Sequence, residues 1–213
     1  MKPINTLTDV ESGLASLLEL DPTLEPFAKA AGPLPLRRRQ ADFASLANIV
    51  AGQLVSVASA AAIFKRLEDC VNPLTVENFS TFRDEDLSSV GFSRAKLQTL
   101  RAICHACEAG LNLSDLAEKP ANEAHSRLCE IKGIGRWSAD IFLLFCAGHP
   151  DVFPSGDLAI RVAVRDAYGL NEKPSVKGLD ASAQAWSPWR GIAARLFWAW
   201  YKAQKQKREI LPL

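Results

Sequence analysis

Two short stretches of the chain combine residue types and spacing that suit chemistry. The first is Asp151-Val152-Phe153-Pro154-Ser155-Gly156, an irregular loop that ends on Asp157, just before an apolar-periodic segment beginning at Leu158. Asp157 is therefore expected at the N-cap of a helix, a structural role worth about 1 kcal/mol. The same placement suits a reaction. A helix N-terminus favours negative charge, and a fixed carboxylate can stabilise a developing sugar cation or orient a water for attack. The second stretch is Ile131-Lys132-Gly133-Ile134-Gly135-Arg136. Glycines on either side of an aliphatic residue allow a sharp turn and a close approach to another molecule. They leave the first N–H groups of the next helix directed outward, an anion site for which DNA phosphate is the obvious ligand. Ile131 and Ile134 are placed to pin the two flanking helices together. A glycine turn alone reads equally well as a structural helix hairpin with Gly as C-cap; Lys132 and Arg136 add positive charge on both sides.

Other reactive side chains offer less. Cys104-His105-Ala106-Cys107 has the look of a metal motif but lies mid-helix, with no second Cys/His pair at suitable spacing, so zinc is not expected. His105, His125 and His149 read as surface or capping residues rather than catalysts.

The elements that must position these groups are helices. Apolar residues recur at three- and four-residue spacing, and alternating β-branched runs with hairpin turns are missing. The pattern predicts helices near 7–19, 23–31, 41–52, 55–69, 83–90, 94–109, 121–131, 136–148, 158–168, 176–184 and 188–207. Pro and Gly punctuate the connections. The segment Arg136 to Ala147 is apolar almost all round, which marks a central helix with neighbours on every side. The fold class expected is all-α.

With 213 residues, 48% hydrophobic and 23% charged, the composition is that of an ordinary globular protein. The longest apolar run, Ile141 to Ala147, is too short to span a bilayer. The N-terminal segment, with Asp9, Glu11 and Glu19, lacks an apolar signal region. Five cysteines at irregular spacing suggest no disulfide framework and fit a reducing cytoplasm. Net charge is only +1, but it is unevenly spread. Residues 1–30 hold two Lys and five acids, for −3, and residues 189–213 hold six Lys or Arg and one Glu, for +5. Such asymmetry either presents a basic face to a polyanion or reflects a solvated amphipathic helix.

The turn at 131–136 resembles the helix-hairpin-helix motif of DNA-binding proteins. Together with the Gly/Pro/Asp run ending at Asp157, it resembles the signature of the helix-hairpin-helix DNA glycosylase superfamily. The resemblance narrows to the 3-methyladenine DNA glycosylase II (AlkA-type) family. Three segments carry it: Ile49 to Val57, Ile131 to Ala139, and Trp186-Ser187-Pro188-Trp189-Arg190 leading to Phe197-Trp198. It runs from about residue 34 to 207. The resemblance implies a two-lobed fold with the active site in an inter-lobe cleft. Residues 1–40 and 155–213 would form one lobe, and residues 41–154, with the hairpin at about 128–145, the other.

It also implies roles. Asp157 falls at the catalytic aspartate. Leu54 falls at the wedge that fills the gap left by a flipped nucleotide, where a branched apolar side chain suits insertion into a base stack; from the residues alone it reads as well as a core leucine. Gln53 would hydrogen-bond the orphaned base or line the base pocket. Trp137 and Trp198 fall at the aromatic walls of that pocket, where indole faces attract a cationic alkylated base. Ile141 sits where some relatives have a pocket tyrosine. Relatives that also cut the strand carry a Schiff-base lysine at position 137; tryptophan implies a monofunctional hydrolase that leaves an abasic site. The absence of cysteines after Cys146 implies no iron–sulfur cluster. The carbonyls of Cys129, Ile131 and Ile134 match hairpin positions that hold a structural Na⁺ or K⁺.

The expected partner is double-stranded DNA with alkylated bases, bound by a cytoplasmic monomer and not by a membrane protein. Phosphate contacts are expected from Lys132, Gly133, Gly135, Arg136, Ser93 (as cap of the helix after it) and Arg94. Arg37-Arg38-Arg39, Lys96 and Lys202 to Arg208 are further basic candidates. Two other readings stay open: a non-catalytic helix-hairpin-helix module that binds DNA structure, and a glycosylase for oxidised or mismatched bases.

Overall fold

The computed structural model describes residues 2–210, and for 206–210 the backbone alone. Every regular element among these residues is a helix. In order it forms α1 (Leu7–Leu20), α2 (Glu25–Ala31), α3 (Phe43–Ala51), α4 (Val57–Cys70), α5 (Val76–Ser80), α6 (Arg94–Glu108), α7 (Leu113–Ala117), α8 (Ala121–Cys129), α9 (Arg136–Phe145), α10 (Leu158–Ala167), α11 (Val176–Ala183) and α12 (Arg190–Ile210). No helix of the described residues is long and apolar enough to cross a membrane.

The chain folds into two compact units, residues 1–38 with 148–213, and residues 39–147. In the first, α12 packs on α1, α2 and α10. The start of α1 is fixed by a reciprocal cap. Thr6 accepts from the Asp9 N–H, and Asp9 accepts from the N–H groups of Asn5 and Thr6. The Asn5 N–H, the Thr6 hydroxyl and the Thr6 N–H hold the Asp9 carboxyl down at about 2. Val10, Gly13 and Leu17 then fall on the buried face of α1. Gly13 admits Ile192 and Trp189 against the helix backbone; a Cβ there would lie 2.9 Å from Ile192 Cγ1. Phe27, Trp186, Phe197 and Trp200 meet edge-on or tilted in the centre of the unit.

In the second unit, α3 packs against α4, α6 and α9, and α8 against α9. Ser138 to Leu144 of α9 are all buried, as a helix apolar on every face requires. Leu46, Leu67, Phe79, Leu100, Ile103 and Leu128 are fully buried in the same unit.

The structure departs from the sequence expectations in three places. The helix expected at 83–90 is replaced by turns and a short 3-10 segment, Ser88–Val90. Asp86 accepts from the Arg83 N–H and from its guanidinium, a local bond that competes with helix. The helices α5 and α7, five residues each, were not expected, because five residues carry no periodicity; only their caps Thr75 and Asn112 signal them. The segment 148–154, expected in the central lobe, belongs with the chain termini. Ile4 N–H donates to Gly148 O (2.8 Å), and Gly191 N–H to Pro150 O (2.7 Å). Asp151 pairs with Arg190 through two bonds, of 2.7 and 2.9 Å, and accepts from Ser187 Oγ at 2.9 Å.

Burial opposes the Asp151 anion, but the Arg190 guanidinium and the Ser187 hydroxyl outweigh it and hold the carboxyl below its ordinary value of 3.8. A carboxyl lowered in the folded state adds stability above its unfolded value, and that stability is lost as pH falls through the folded value. Asp151→Asn should therefore cost about 2 kcal/mol at neutral pH. The difference from wild type should shrink below pH 3.8, as followed by denaturant unfolding across an acid series.

Candidate functional site

In the second unit the turn between α8 and α9 closes through Ile131 N–H to Leu128 O (3.1 Å) and Ile134 N–H to Ile131 O (2.9 Å). Ile131 and Ile134 are buried, as pins must be, while Lys132 and Arg136 are exposed. Gly133 has φ +91° and rests on Thr99, whose Oγ1 would lie 1.9 Å from an added Cβ. Only glycine fits both the dihedral and the space. Gly135 caps α9 with no side-chain hydrogen bond and with open space where a Cβ would be. The start of α9 therefore receives no side-chain cap from Gly135, and a helix N-terminus favours negative charge.

Sequence reasoning missed Asp140, which lies under this turn. It is buried, 3.4 Å from His125 Nε2 and 3.6 Å from Arg136 Nε. Burial, and then the Arg136 charge, lower the His125 pKa; the imidazole is half-buried beside Asp140 rather than on the open surface. The signal available was the i, i+4 spacing of Arg136 and Asp140.

The loop between α3 and α4 presents Leu54 with a left-handed backbone (φ +58°) and full exposure, 104% of the reference value. That removes the core-leucine reading. Val55 and Val57 beside it are also exposed. Gln53 behaves differently. It is half-buried, and its amide nitrogen donates to Gly133 O (3.1 Å) and Ser138 Oγ (2.9 Å). Its expected part was to hydrogen-bond the orphaned base or line the base pocket; in this structure its amide nitrogen is engaged within its own unit. Trp137 is half-exposed at the first turn of α9, its ring edge close to Gly52. Ile141, expected at the base pocket, is buried in the core of its unit.

Ser93 caps α6 as expected, accepting from Lys96 N–H at 3.3 Å, and Arg94 is exposed. Lys96, a further basic candidate for phosphate contact, donates from its ammonium to Ala51 O (2.9 Å), the carbonyl end of α3. Cys104 of the Cys-x-x-Cys pair is buried, which pushes its thiol up to about 11.

In the first unit Asp157 caps α10. Its Oδ1 accepts from Ile160 N–H (3.0 Å) and from the indole N–H of Trp198 (3.1 Å). Its own N–H donates to Pro154 O at 2.8 Å. The side chain is half-exposed and not sealed in hydrocarbon. Trp198 is half-buried and also lines a crevice with Pro35, Arg37 and Arg195. Arg195 is buried and donates to Leu36 O (2.5 Å). Burial, together with the charges of Arg37 and Arg38, lowers its pKa to about 10. Arg38 donates to Asn5 Oδ1 (2.9 Å), while Lys202 and Lys205 are exposed on α12. The side chains of Lys207 and Arg208 lie outside the described residues.

A family profile described as HhH-GPD superfamily base excision DNA repair protein matches residues 47–189. The chain belongs to this superfamily. The loop at Leu54, the turn at 131–136 and Asp157 fall inside the matched region, and Trp198 falls beyond it. DNA-3-methyladenine glycosylase 1 of Schizosaccharomyces pombe is 29% identical over 98% of this chain and 94% of its own length. Among solved HhH-GPD folds, the Schizosaccharomyces pombe 3-methyladenine DNA glycosylase bound to abasic DNA superposes with a TM-score of 0.81. It is 28% identical and covers 88% of this chain and 95% of that one. DNA-3-methyladenine glycosidase of Bacillus halodurans superposes with a TM-score of 0.78, at 29% identity, over 92% and 91%.

The geometry separates Leu54 from Gly133 in stability. Leu54→Gly relieves a left-handed leucine and should raise stability by up to about 1 kcal/mol. Gly133→Ala drives a Cβ into Thr99 at positive φ and should cost about 2 kcal/mol or more. Thermal melting of the two variants should therefore shift in opposite directions.

Proposed function

We propose that this chain is a monofunctional DNA glycosylase of the AlkA type. It hydrolyses the N-glycosidic bond of alkylated purines of the 3-methyladenine kind in duplex DNA, acting as a monomer and leaving an abasic site. The observation that carries the reading is the double anchoring of the Asp157 carboxylate, by its own helix and by Trp198. A cap needs only the first of these bonds. The second is what a reaction needs, since it holds one oxygen still while charge develops nearby.

The chemistry follows from the base. Alkylation at a ring nitrogen makes a purine cationic. As the C1′–N bond breaks, the electron pair leaves with the base and neutralises it, and positive charge appears on the sugar. The Asp157 anion stabilises that oxocarbenium-like sugar and directs a water onto C1′. The water's hydroxyl stays on C1′ and its proton passes to the carboxylate and then to solvent. Trp137 offers a half-exposed ring for stacking a cationic base. It has no amine, so no Schiff base forms there and strand cleavage does not follow. The indole edge of Trp198 is committed to Asp157, so its part is to position the carboxylate, with its face available as a wall. The names of the similar proteins support alkylated purines as the substrate class.

Duplex DNA would meet the uncapped start of α9 and the exposed Lys132 and Arg136, with Ser93 and Arg94 at the start of α6. Leu54 would enter the stack where the damaged nucleotide leaves it. The carbonyls of Cys129, Ile131 and Ile134 are neutral oxygen donors at a helix C-terminus and turn. Ile131 O already accepts from Ile134 N–H, and a set without carboxylates suits Na⁺ or K⁺ rather than a divalent ion. Such an ion would be structural, linking turn and phosphate.

Mass spectrometry of bases released from methylated DNA tests the reading. Asp157→Asn should lose base release by about 100-fold or more while still binding abasic DNA. Trp198→Phe keeps the ring and removes the N–H; it should lower kcat by about tenfold and leave abasic-DNA affinity unchanged. Release by Asp157→Asn at near wild-type rates would overturn the assignment.

A further inference from the structure

The wedge loop is tied to the hairpin by a side chain. Gln53 immediately precedes Leu54, and its amide nitrogen bonds both the Gly133 carbonyl in the turn and the Ser138 hydroxyl inside α9. A backbone carbonyl can only accept, so the Gln53 amide must present its nitrogen to Gly133, which fixes the amide orientation. The amide group has two hydrogens, and these two bonds use both. No N–H is left to read an orphaned base.

A second tie acts one turn earlier. Gln53 N–H still donates to Val50 O (3.2 Å), and Gly52 N–H to Asn48 O and Ile49 O (both 3.1 Å), so α3 tightens before the chain turns at Leu54. Lys96 of α6 reaches the carbonyl end of this helix at Ala51 O (2.9 Å), where a cation complements the helix dipole. It is half-buried in doing so. The left-handed Leu54 therefore follows directly on a segment gripped from two sides.

We propose that Gln53, supported by Lys96, is a positioning residue that braces the wedge against the hairpin. The phosphate-gripping turn and the intercalating leucine then move as one body, and the push of Leu54 into a base stack is borne by Gly133 and Ser138. The proposal rests on the DNA-glycosylase reading and gives Gln53 a mechanical role in place of a recognition role.

The test uses the full chain with Gln53→Met, Ser138→Ala, Lys96→Met, Leu54→Ala and the double variant Gln53→Met/Leu54→Ala. One arm measures binding and the fluorescence of 2-aminopurine beside a tetrahydrofuran abasic analogue in a duplex. The other measures amide hydrogen exchange at residues 54–56 and 133–135 in the free protein. Gln53→Met should lower the unstacking equilibrium about threefold to tenfold, the size of a neutral hydrogen bond. Affinity for undamaged duplex should stay within about twofold, and exchange at 54–56 should accelerate. Ser138→Ala, which removes one of the two bonds, and Lys96→Met should each give a smaller change in the same direction. The double variant should be no worse than Leu54→Ala alone, since a brace without its wedge has nothing to hold.

Additive losses in the double variant, or a Gln53→Met loss that varies with the base opposite the abasic site, would overturn the brace in favour of base reading. If Gln53→Met fails to fold, Ser138→Ala decides: unchanged exchange and unchanged unstacking overturn the brace. Wild-type protein that neither binds nor unstacks the abasic duplex overturns the glycosylase reading itself. Wild-type protein that does both, with exchange at 54–56 unaffected by Gln53→Met, overturns the brace alone.

Discussion

The bond between the Trp198 indole and Asp157 Oδ1 is the interaction on which the proposed chemistry depends. A carboxylate at a helix N-terminus is common, and capping alone explains it. Here a donor from a different helix, 41 residues away in sequence, reaches the same oxygen. That requires α12 to lie in a fixed register on α10. The buried faces of both helices supply the register, through Ile160, Ala163 and Val164 on one and Ile192, Leu196 and Phe197 on the other. The aromatic core of this unit thus sets the position of one polar atom.

In the other unit the corresponding constraint is steric. Gly133 rests on Thr99 with no room for a Cβ, and α9 then runs through the core with neighbours on every side. Polar groups buried along α9 each have work to do. Ser138 receives Gln53, and Asp140 lies near Arg136 and His125. A helix held this firmly fixes the position of the turn at its start, and little reorganisation is needed where such a turn meets charge.

Much of this was legible in the residues. The helical spacing marked the long helices, the all-apolar run marked α9, and the Pro/Gly loop before Asp157 marked a cap. What escaped the sequence was partnership. Nothing in the spacing of Gln53 shows that it bonds residues 80 and 85 positions away, and Lys96 looks like any basic residue near a helix start. The same holds for Asp151 with Arg190, whose pairing moved segment 148–154 from one unit to the other. Helices of five residues escaped for a different reason, since so short a run shows no period. Side-chain bonds between distant segments form only when the fold closes, so a linear pattern does not encode them.

The full exposure of Leu54 has one more implication. A side chain with no packing duty is free of the volume limits that govern a core position. The tip of this loop can accept larger, smaller or artificial groups while the scaffold beneath it keeps its form. Position 54 is therefore an adjustable point in the chain, suited to grafted aromatic or photoreactive residues.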